Sequence, residues 1–314
     1  MTNLIFCLNA TVPIFLMMVL GCVFRKSGLI NGKFADQLNA FVFRAALPVL
    51  LFQDISESDF FATWNFKFVA FCFLVSLASI LISVGLSTFL KDRSIRGEFA
   101  QASYRSSLAL LGVAFLLNIY GTTGATSLVI IGVVPLYNIA AVIILTIMKP
   151  EHGKISKALI LKALKGILTN PIIIGVISGI VWALLRIPQP VILKRSISTF
   201  SATATPLGLI ALGASFDYHK AFSKLKPALV CTVLKLLVFP AAFLPLAVFL
   251  GFRQDKLVSV LTMLGSSTTV TSFTMARSMG HESTLSASAV MLTTFFSAFT
   301  LTGWLYILKI LMLV

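Results

Sequence analysis

The sequence is poor in charge. Only 11% of its 314 residues are Asp, Glu, Lys or Arg, and the acids among them number 10. A soluble chain carries about 25% charged residues. This one has too little polar surface to face water all round. Disorder is excluded too, because 58% of residues are apolar and 27 are Phe. The motifs of several chemistries are also missing. No G-x-x-x-x-G-K-[ST] phosphate loop occurs, so ATP drive within the chain is not expected, and no H-E-x-x-H zinc helix occurs. Four cysteines, Cys7, Cys22, Cys72 and Cys231, lie in separate apolar runs with neither disulfide nor metal-ligand spacing. His152, His219 and His281 fall between apolar runs, and all ten acids fall in loops or at run ends. No Ser shares membrane depth with a His and no two carboxylates share a run, so an intramembrane enzyme lacks its groups. The expectation is no enzyme, no metal and no cofactor. The same placement argues against a carboxylate or imidazole proton relay and against a carboxylate-based sodium site.

What the chain has is long apolar runs, at a mean hydropathy of +1.00. A membrane-spanning helix needs ~20 mostly apolar residues. Ten candidates are present: 4–24, 34–53, 66–90, 98–120, 124–148, 167–185, 191–215, 227–251, 257–279 and 283–308. Ser106 to Met148 holds no charge over 43 residues, so it contains more than one span. The Gly-rich stretch Tyr120-Gly121-Thr122-Thr123-Gly124 divides it. Continuous runs favour helices over the alternating segments of a membrane β-barrel. The first run precedes any charge and lacks an A-x-A site, so it reads as a span and not as a signal peptide.

The net charge of +15 is a topology signal. Alternate loops, starting after span 1, hold 15 basic residues, the opposite face holds 7, and Arg44, Arg105 and Lys235 lie inside spans. The acids Asp54, Glu57 and Asp59 cluster on the basic-poor side. The positive-inside rule then places both termini outside. Nucleic acid is not needed to explain the charge.

The halves of the chain repeat. Thr11-Val12-Pro13-Ile14 aligns with Thr169-Asn170-Pro171-Ile172, Gly21 with Gly179, Pro48 with Pro206 and Phe115 with Phe273, all at an offset of 158. Five spans per half, residues 1–150 and 151–314, make the second half enter from the opposite side. Such inverted repeats serve alternating access about a midplane site, although channels have them too.

Spans 4 and 9 are the unusual pair. Span 4 opens Ser103-Tyr104-Arg105-Ser106-Ser107 and continues to Gly112; seven of the nine residues 266–274 carry hydroxyls. Backbone that leaves the helix inside a bilayer needs such polar partners. Ser106, Ser107, Gly112, Ser266, Ser267, Thr268 and Thr269 therefore mark two discontinuous helices, whose half-helix N-termini suit an anion. The competing explanation is helix packing through small residues.

Charges at membrane depth are costly and are functional candidates. Lys235 lies about nine residues, or ~13 Å, from the cytoplasmic end of span 8. It reads as a site cation or as an internal tether to backbone carbonyls. Arg44 sits mid-span, suited to a carboxylate or facing a partner helix. Arg105 either guides a carboxylate inward or snorkels. Asn39, Gln101, Asn118 and Asn138 are the uncharged polar candidates. Three cations and no acid at depth make an anion the cheaper guest. Pro13, Pro48, Pro171 and Pro206 shape their helices by removing a backbone donor.

Several stretches resemble the auxin efflux carrier family of bacterial and plant permeases. They are Leu38-Asn39-Ala40-Phe41-Val42-Phe43-Arg44-Ala45-Ala46-Leu47-Pro48, Asn170-Pro171, Pro206-Leu207, Leu212-Gly213-Ala214-Ser215 and Leu234-Lys235-Leu236-Leu237-Val238-Phe239-Pro240. The similarity covers nearly the whole chain and resembles the malate- and malonate-transporter-like bacterial branch. It implies ten transmembrane helices as two inverted five-helix repeats. It also implies a scaffold of spans 1, 2, 6 and 7, and a transport unit of spans 3–5 and 8–10 with broken, crossing helices 4 and 9. Where the plant carriers have an Asn-Pro-Asn-type crossover, this chain has Ser106-Ser107 and no proline. Homodimers are a family-level expectation.

Together these features predict an all-α permease of the cell membrane, with lipid and a small organic anion as its partners. Substrate contacts are expected from Ser106, Ser107, Ser267, Thr268 and backbone N–H groups, with positive potential from Lys235 and Arg44. An organic-anion channel or a carrier for another solute class are the alternatives that the residues leave open.

Overall fold

The computed structural model describes residues 2–57, 65–121, 125–149, 169–216 and 224–314. Among these residues every regular element is helical. Helix α1 is Thr2–Lys26. Helix α2 (Gly32–Phe41) runs through a π-helical turn at Val42–Ala46 into α3 (Leu47–Ser56). Then come α4 (Phe66–Thr88), α5 (Arg96–Tyr104), a π-helical turn at Leu108–Gly112, α6 (Val113–Tyr120) and α7 (Thr126–Ile147). The second half holds α8 (Pro171–Leu184), α9 (Val191–Ser201) and α10 (Ala204–Ser215). Helix α11 (Leu225–Val233) passes through a π-helical turn at Leu234–Val238 into α12 (Phe239–Phe249). The last three are α13 (Gln254–Gly265), α14 (Thr271–Ser278) and α15 (Thr284–Ile310).

Six helical runs among the described residues are long and apolar enough to cross a membrane: Gly32–Ser56, Phe66–Thr88, Leu128–Ile147, Val191–Ser215, Leu225–Phe249 and Thr284–Ile310. Helix α8 is a shorter apolar one. The stretch that links the two halves, including His152, and the loop with His219 lie outside the described residues. Helix starts follow side-chain chemistry. Asn31 accepts from Phe34 N–H at 2.8 Å, Asn65 from Phe68 N–H at 3.0 Å, and Asn170 from Ile172 N–H at 2.9 Å. Each takes one of the N–H groups that a helix start leaves without an intrahelical partner. Pro171 fits the first position of α8 because its missing N–H costs nothing there.

Helices of one half pack on helices of the other: α1 on α10, and α3 on α8. Glycines set their closeness. A Cβ on Gly213 would stand 2.0 Å from the Met18 carbonyl oxygen, and one on Gly21 would stand 2.3 Å from that of Ile210. At α3–α8, a Cβ on Gly175 would stand 2.4 Å from the Pro48 carbonyl oxygen. Gly213→Ala is thus expected to force α1 and α10 apart at the ~1–3 kcal/mol typical of overpacking, read as a lower melting temperature in detergent. Gly303→Ala, with nothing within 4 Å of its Cβ, is the matched control and should not lower it.

Acids tie helix ends together. Glu98, at the start of α5, is fully buried and accepts from Ser283 N–H at 2.8 Å and Ser286 N–H at 2.9 Å, closing the start of α15. Asp255, at the start of α13, accepts from Ala125 N–H at 3.2 Å, next to the start of α7. Close to Glu98, Asp92 pairs with Lys224 at 2.5 Å, and that ammonium holds its carboxyl down at about 2. His281 was expected as a loop residue. It is a loop residue, but a buried one, its Nε2 bonded to the Leu145 carbonyl at 2.8 Å.

Burial pushes His281 below its ordinary 6.5, Lys149 adds to this, and the Leu145 bond opposes it. The ring is therefore neutral when folded, while an unfolded chain takes up a proton near 6.5. Stability from this site is present above pH 6.5 and lost as pH falls below it. Melting temperature should drop between pH 7.5 and 5.5, and His281→Gln should flatten that slope.

Candidate functional site

Two helical runs are interrupted, and the interruptions cross. Helix α5 ends at Tyr104, Arg105 is extended at φ −75° and ψ 124°, and helix resumes at Leu108. Helix α13 ends at Gly265, Ser266 is extended at φ −74° and ψ 162°, and helix resumes at Thr271. The last carbonyls of a helix have no intrahelical N–H, so each break needs outside donors. The hydroxyl-rich sequence supplies them across the crossing. Ser107 N–H donates to the Ser267 carbonyl at 2.9 Å. The Ser106 hydroxyl donates to the Met263 carbonyl, and the Thr268 hydroxyl to the Ala102 carbonyl at 2.8 Å. Thr268 N–H in turn donates to the Thr293 hydroxyl of α15 at 2.9 Å.

Lys235 completes the crossing from the π-helical turn between α11 and α12. It is fully buried, and its Nζ donates to the Tyr104 carbonyl at 2.9 Å and to the Ser106 hydroxyl. These bonds are the contacts of a tether to a backbone carbonyl.

A cavity of about 240 Å³ opens beside the crossing. One wall is the crossing itself: Arg105, Ser106, Ser107, Ser267, Thr268 and Thr269. The facing wall is Leu50, Leu51 and Asp54 of α3 with Thr205 and Leu209 of α10. Tyr137 and Asn138 of α7 and Thr294 of α15 close the sides. Arg105 is 3% exposed, and its guanidinium donates to Asn138 Oδ1 at 2.5 Å and to Met275 Sδ at 2.8 Å. Both partners are neutral, so the Arg105 charge faces the cavity without a carboxylate bonded to it.

Six of the residues expected at the site therefore meet on one wall. Five others do not reach the cavity. Lys235 stands behind it. Ser266 is buried away from it. Gly112 is a packing position, where a Cβ would lie 3.2 Å from Thr262 Oγ1. Asn39 donates to the Thr274 carbonyl at 3.3 Å and to the Ser278 hydroxyl at 3.1 Å, tying α2 to α14. Arg44 is exposed on the outer face of its π-helical turn. Among the prolines, Pro13 is inside α1, Pro48 is the second residue of α3, Pro171 opens α8, and Pro206 follows the gap between α9 and α10. Gln101 is buried beside Met275, and the Asn118 side chain lies outside the described set.

Comparison with known proteins says what kind of chain carries this pair of broken helices and the small cavity beside it. The model of a family described as "Membrane transport protein" matches residues 6–305. The chain belongs to that family. It is the family of the auxin efflux carriers that the span motifs resemble. A protein of Rhizobium meliloti (strain 1021) named "Putative malonate transporter" is 23% identical over 304 residues, covering 95% of this chain and 94% of that one. This membrane transport protein is accordingly a multi-pass membrane protein of a transporter family.

One acid in this membrane transport protein corrects the sequence-based picture. Asp54, expected at a span end and outside the site, lines the cavity. Glu98 is at the start of its span, as expected, and the structure adds that it is fully buried in the helix-end tie. Tyr137 was missed altogether; its ring packs on Tyr104 with centroids 5.5 Å apart. The repeat offset held a usable signal for the acids. Glu98 and Asp255 lie 157 apart, within one residue of the offset that relates the matched positions of the two halves.

Proposed function

We propose that this protein is a secondary carrier for small organic anions of the mono- or dicarboxylate class, working across the cell membrane by alternating access. The observation that carries the proposal is Arg105, a buried guanidinium beside a cavity that five hydroxyl residues of the two helix breaks also line. Its planar fork of donors suits a carboxylate. The cavity, at about 240 Å³, is below the ~300–1,000 Å³ of drug-sized sites, which favours a small solute. The name of the Rhizobium meliloti relative agrees with that class.

The proposed architecture is ten spans in two inverted five-span repeats, 1–150 and 151–314. Spans 1, 2, 6 and 7 form the scaffold, and spans 3–5 and 8–10 form the transport unit. Three observations support it. The acid ties match in pairs, Glu98 with the start of α15 and Asp255 with the start of α7. The glycine contacts pair α1 with α10 and α3 with α8. The cavity lies between α3 and α10 on one side and the crossing on the other, so sliding one group past the other would open it to alternate faces. The excess of basic residues in alternate loops supports an orientation with both termini outside, and a homodimer is the expected assembly.

The test is a thermal-shift panel on purified protein in detergent, with malonate, malate, lactate, a neutral sugar and an organic cation at matched ionic strength. A ligand at 100 times its Kd should stabilise by ~2.7 kcal/mol. Selective stabilisation by carboxylates, followed by saturable counterflow in proteoliposomes, is the expected result. Selective response to sugar or cation would sink the anion assignment, and non-saturable flux would make the protein a channel.

A further inference from the structure

Arg105 is held by a neutral acceptor that has only one way to sit. Asn138 of α7 is buried, and its amide is fixed at both ends. Oδ1 accepts from the Arg105 guanidinium at 2.5 Å, and Nδ2 donates to the Val134 carbonyl, one turn back, at 2.8 Å. A guanidinium only donates and a carbonyl only accepts, so a flipped amide would set donor against donor and acceptor against acceptor. The other bond of the guanidinium goes to Met275 Sδ of α14 at 2.8 Å, a second neutral acceptor. Arg105 lies in the extended break after α5, outside any helix, so these two contacts orient its fork.

The chemistry of the acceptor decides what the fork can do. An aspartate at 138 would have the same shape and would take the guanidinium in a charge-assisted pair. The positive charge would then be offset before any anion arrived. An asparagine orients the fork as well and leaves its charge in place, and the N–H groups not bonded to Asn138 or Met275 remain for a ligand carboxylate. Asp54, the carboxylate of the cavity lining, comes from α3 on the facing wall. The arrangement leaves a buried cation bonded to neutral groups, a cost that a purely structural contact has no reason to keep. We infer that Asn138 is a positioning residue for the anion: it holds the Arg105 guanidinium at the cavity through a neutral acceptor and so keeps that charge available to a carboxylate. The inference rests on the anion-carrier function and adds the residue that keeps the cavity selective for anions.

The experiment uses the full chain in detergent with malonate as probe. Malonate Kd and the melting temperature without ligand are measured for the unmodified protein, Asn138→Asp and Asn138→Leu. The melting temperature is also measured for Arg105→Gln with and without Asn138→Asp. Asn138→Asp, equal in shape, is expected to weaken malonate binding at least about tenfold while its melting temperature holds or rises. Asn138→Leu, different in shape but neutral, should weaken binding by a smaller factor and melt earlier. In the Arg105→Gln background, Asn138→Asp should lower the melting temperature, because the new carboxylate is then buried without its cation. A merely structural asparagine would give the opposite order of binding, with malonate affinity kept in Asn138→Asp, and the same melting change in both backgrounds; either result overturns the inference. Asn138→Asp that fails to fold while Arg105 is present overturns it too, as does Asn138→Leu with an unaltered malonate Kd. Absence of carboxylate binding by the unmodified protein would instead overturn the anion-carrier function, and the inference with it.

Discussion

Arg105→Gln is expected to lose carboxylate binding without losing the fold. The guanidinium is 3% exposed and its contacts are the neutral Asn138 and Met275. A buried charge with neutral partners is a cost to the empty protein. Glutamine keeps a donor for Asn138 and removes that cost, so the melting temperature without ligand should hold or rise. Binding moves the other way. A hydrogen bond to a charged group contributes about 1.5–3 kcal/mol, so malonate affinity should fall at least about tenfold. Opposite signs for stability and binding are the diagnostic. A protein that melted earlier and still bound malonate normally would make Arg105 a structural residue, and the cavity would need another cation.

Six of the spans were legible because long apolar runs have few alternatives, and the breaks because a lipid-facing helix has no use for seven hydroxyls in nine residues. The break in span 4 was legible even without a proline. Proline acts by removing a donor, whereas here the freed carbonyls of Ala102 and Tyr104 are taken by Thr268 and Lys235. What the sequence could not supply was direction. Arg44, Arg105 and Lys235 all lie within apolar runs, yet one faces outward, one lines the cavity and one stands behind it. Depth comes from counting residues along a run. Facing depends on helix rotation, and π-helical turns at Val42–Ala46 and Leu234–Val238 change that rotation beside two of the three. Asp54 escaped for a related reason. It lies at the end of its apolar run, and its place on the cavity lining depends on how α3 packs against other helices, which no single run specifies.

Lys235→Met should fail in a way that separates a tether from a binding residue. Methionine fills much of the same space but donates nothing. The Tyr104 carbonyl, at the end of α5, would lose its donor, and Ser106 would keep only its bond to Met263. An unsatisfied buried acceptor costs about 1–3 kcal/mol, and a cation at a helix C-terminus adds a favourable dipole contact that is also lost. Methionine also relieves the cost of burying the ammonium, as glutamine does for Arg105, but unlike glutamine it leaves the carbonyl without a donor, so the melting temperature without ligand is expected to fall. Binding should weaken for every carboxylate by a similar factor, because the lysine acts by positioning Arg105, Ser106 and Ser107 and does not touch the cavity. Transport in proteoliposomes should fall further than binding, since the crossing must survive each passage of the transport unit. A ligand-selective loss with unchanged melting would return Lys235 to the cavity wall. Unaltered melting, binding and transport together would leave the Tyr104 carbonyl without need of a donor, and the tether would be wrong.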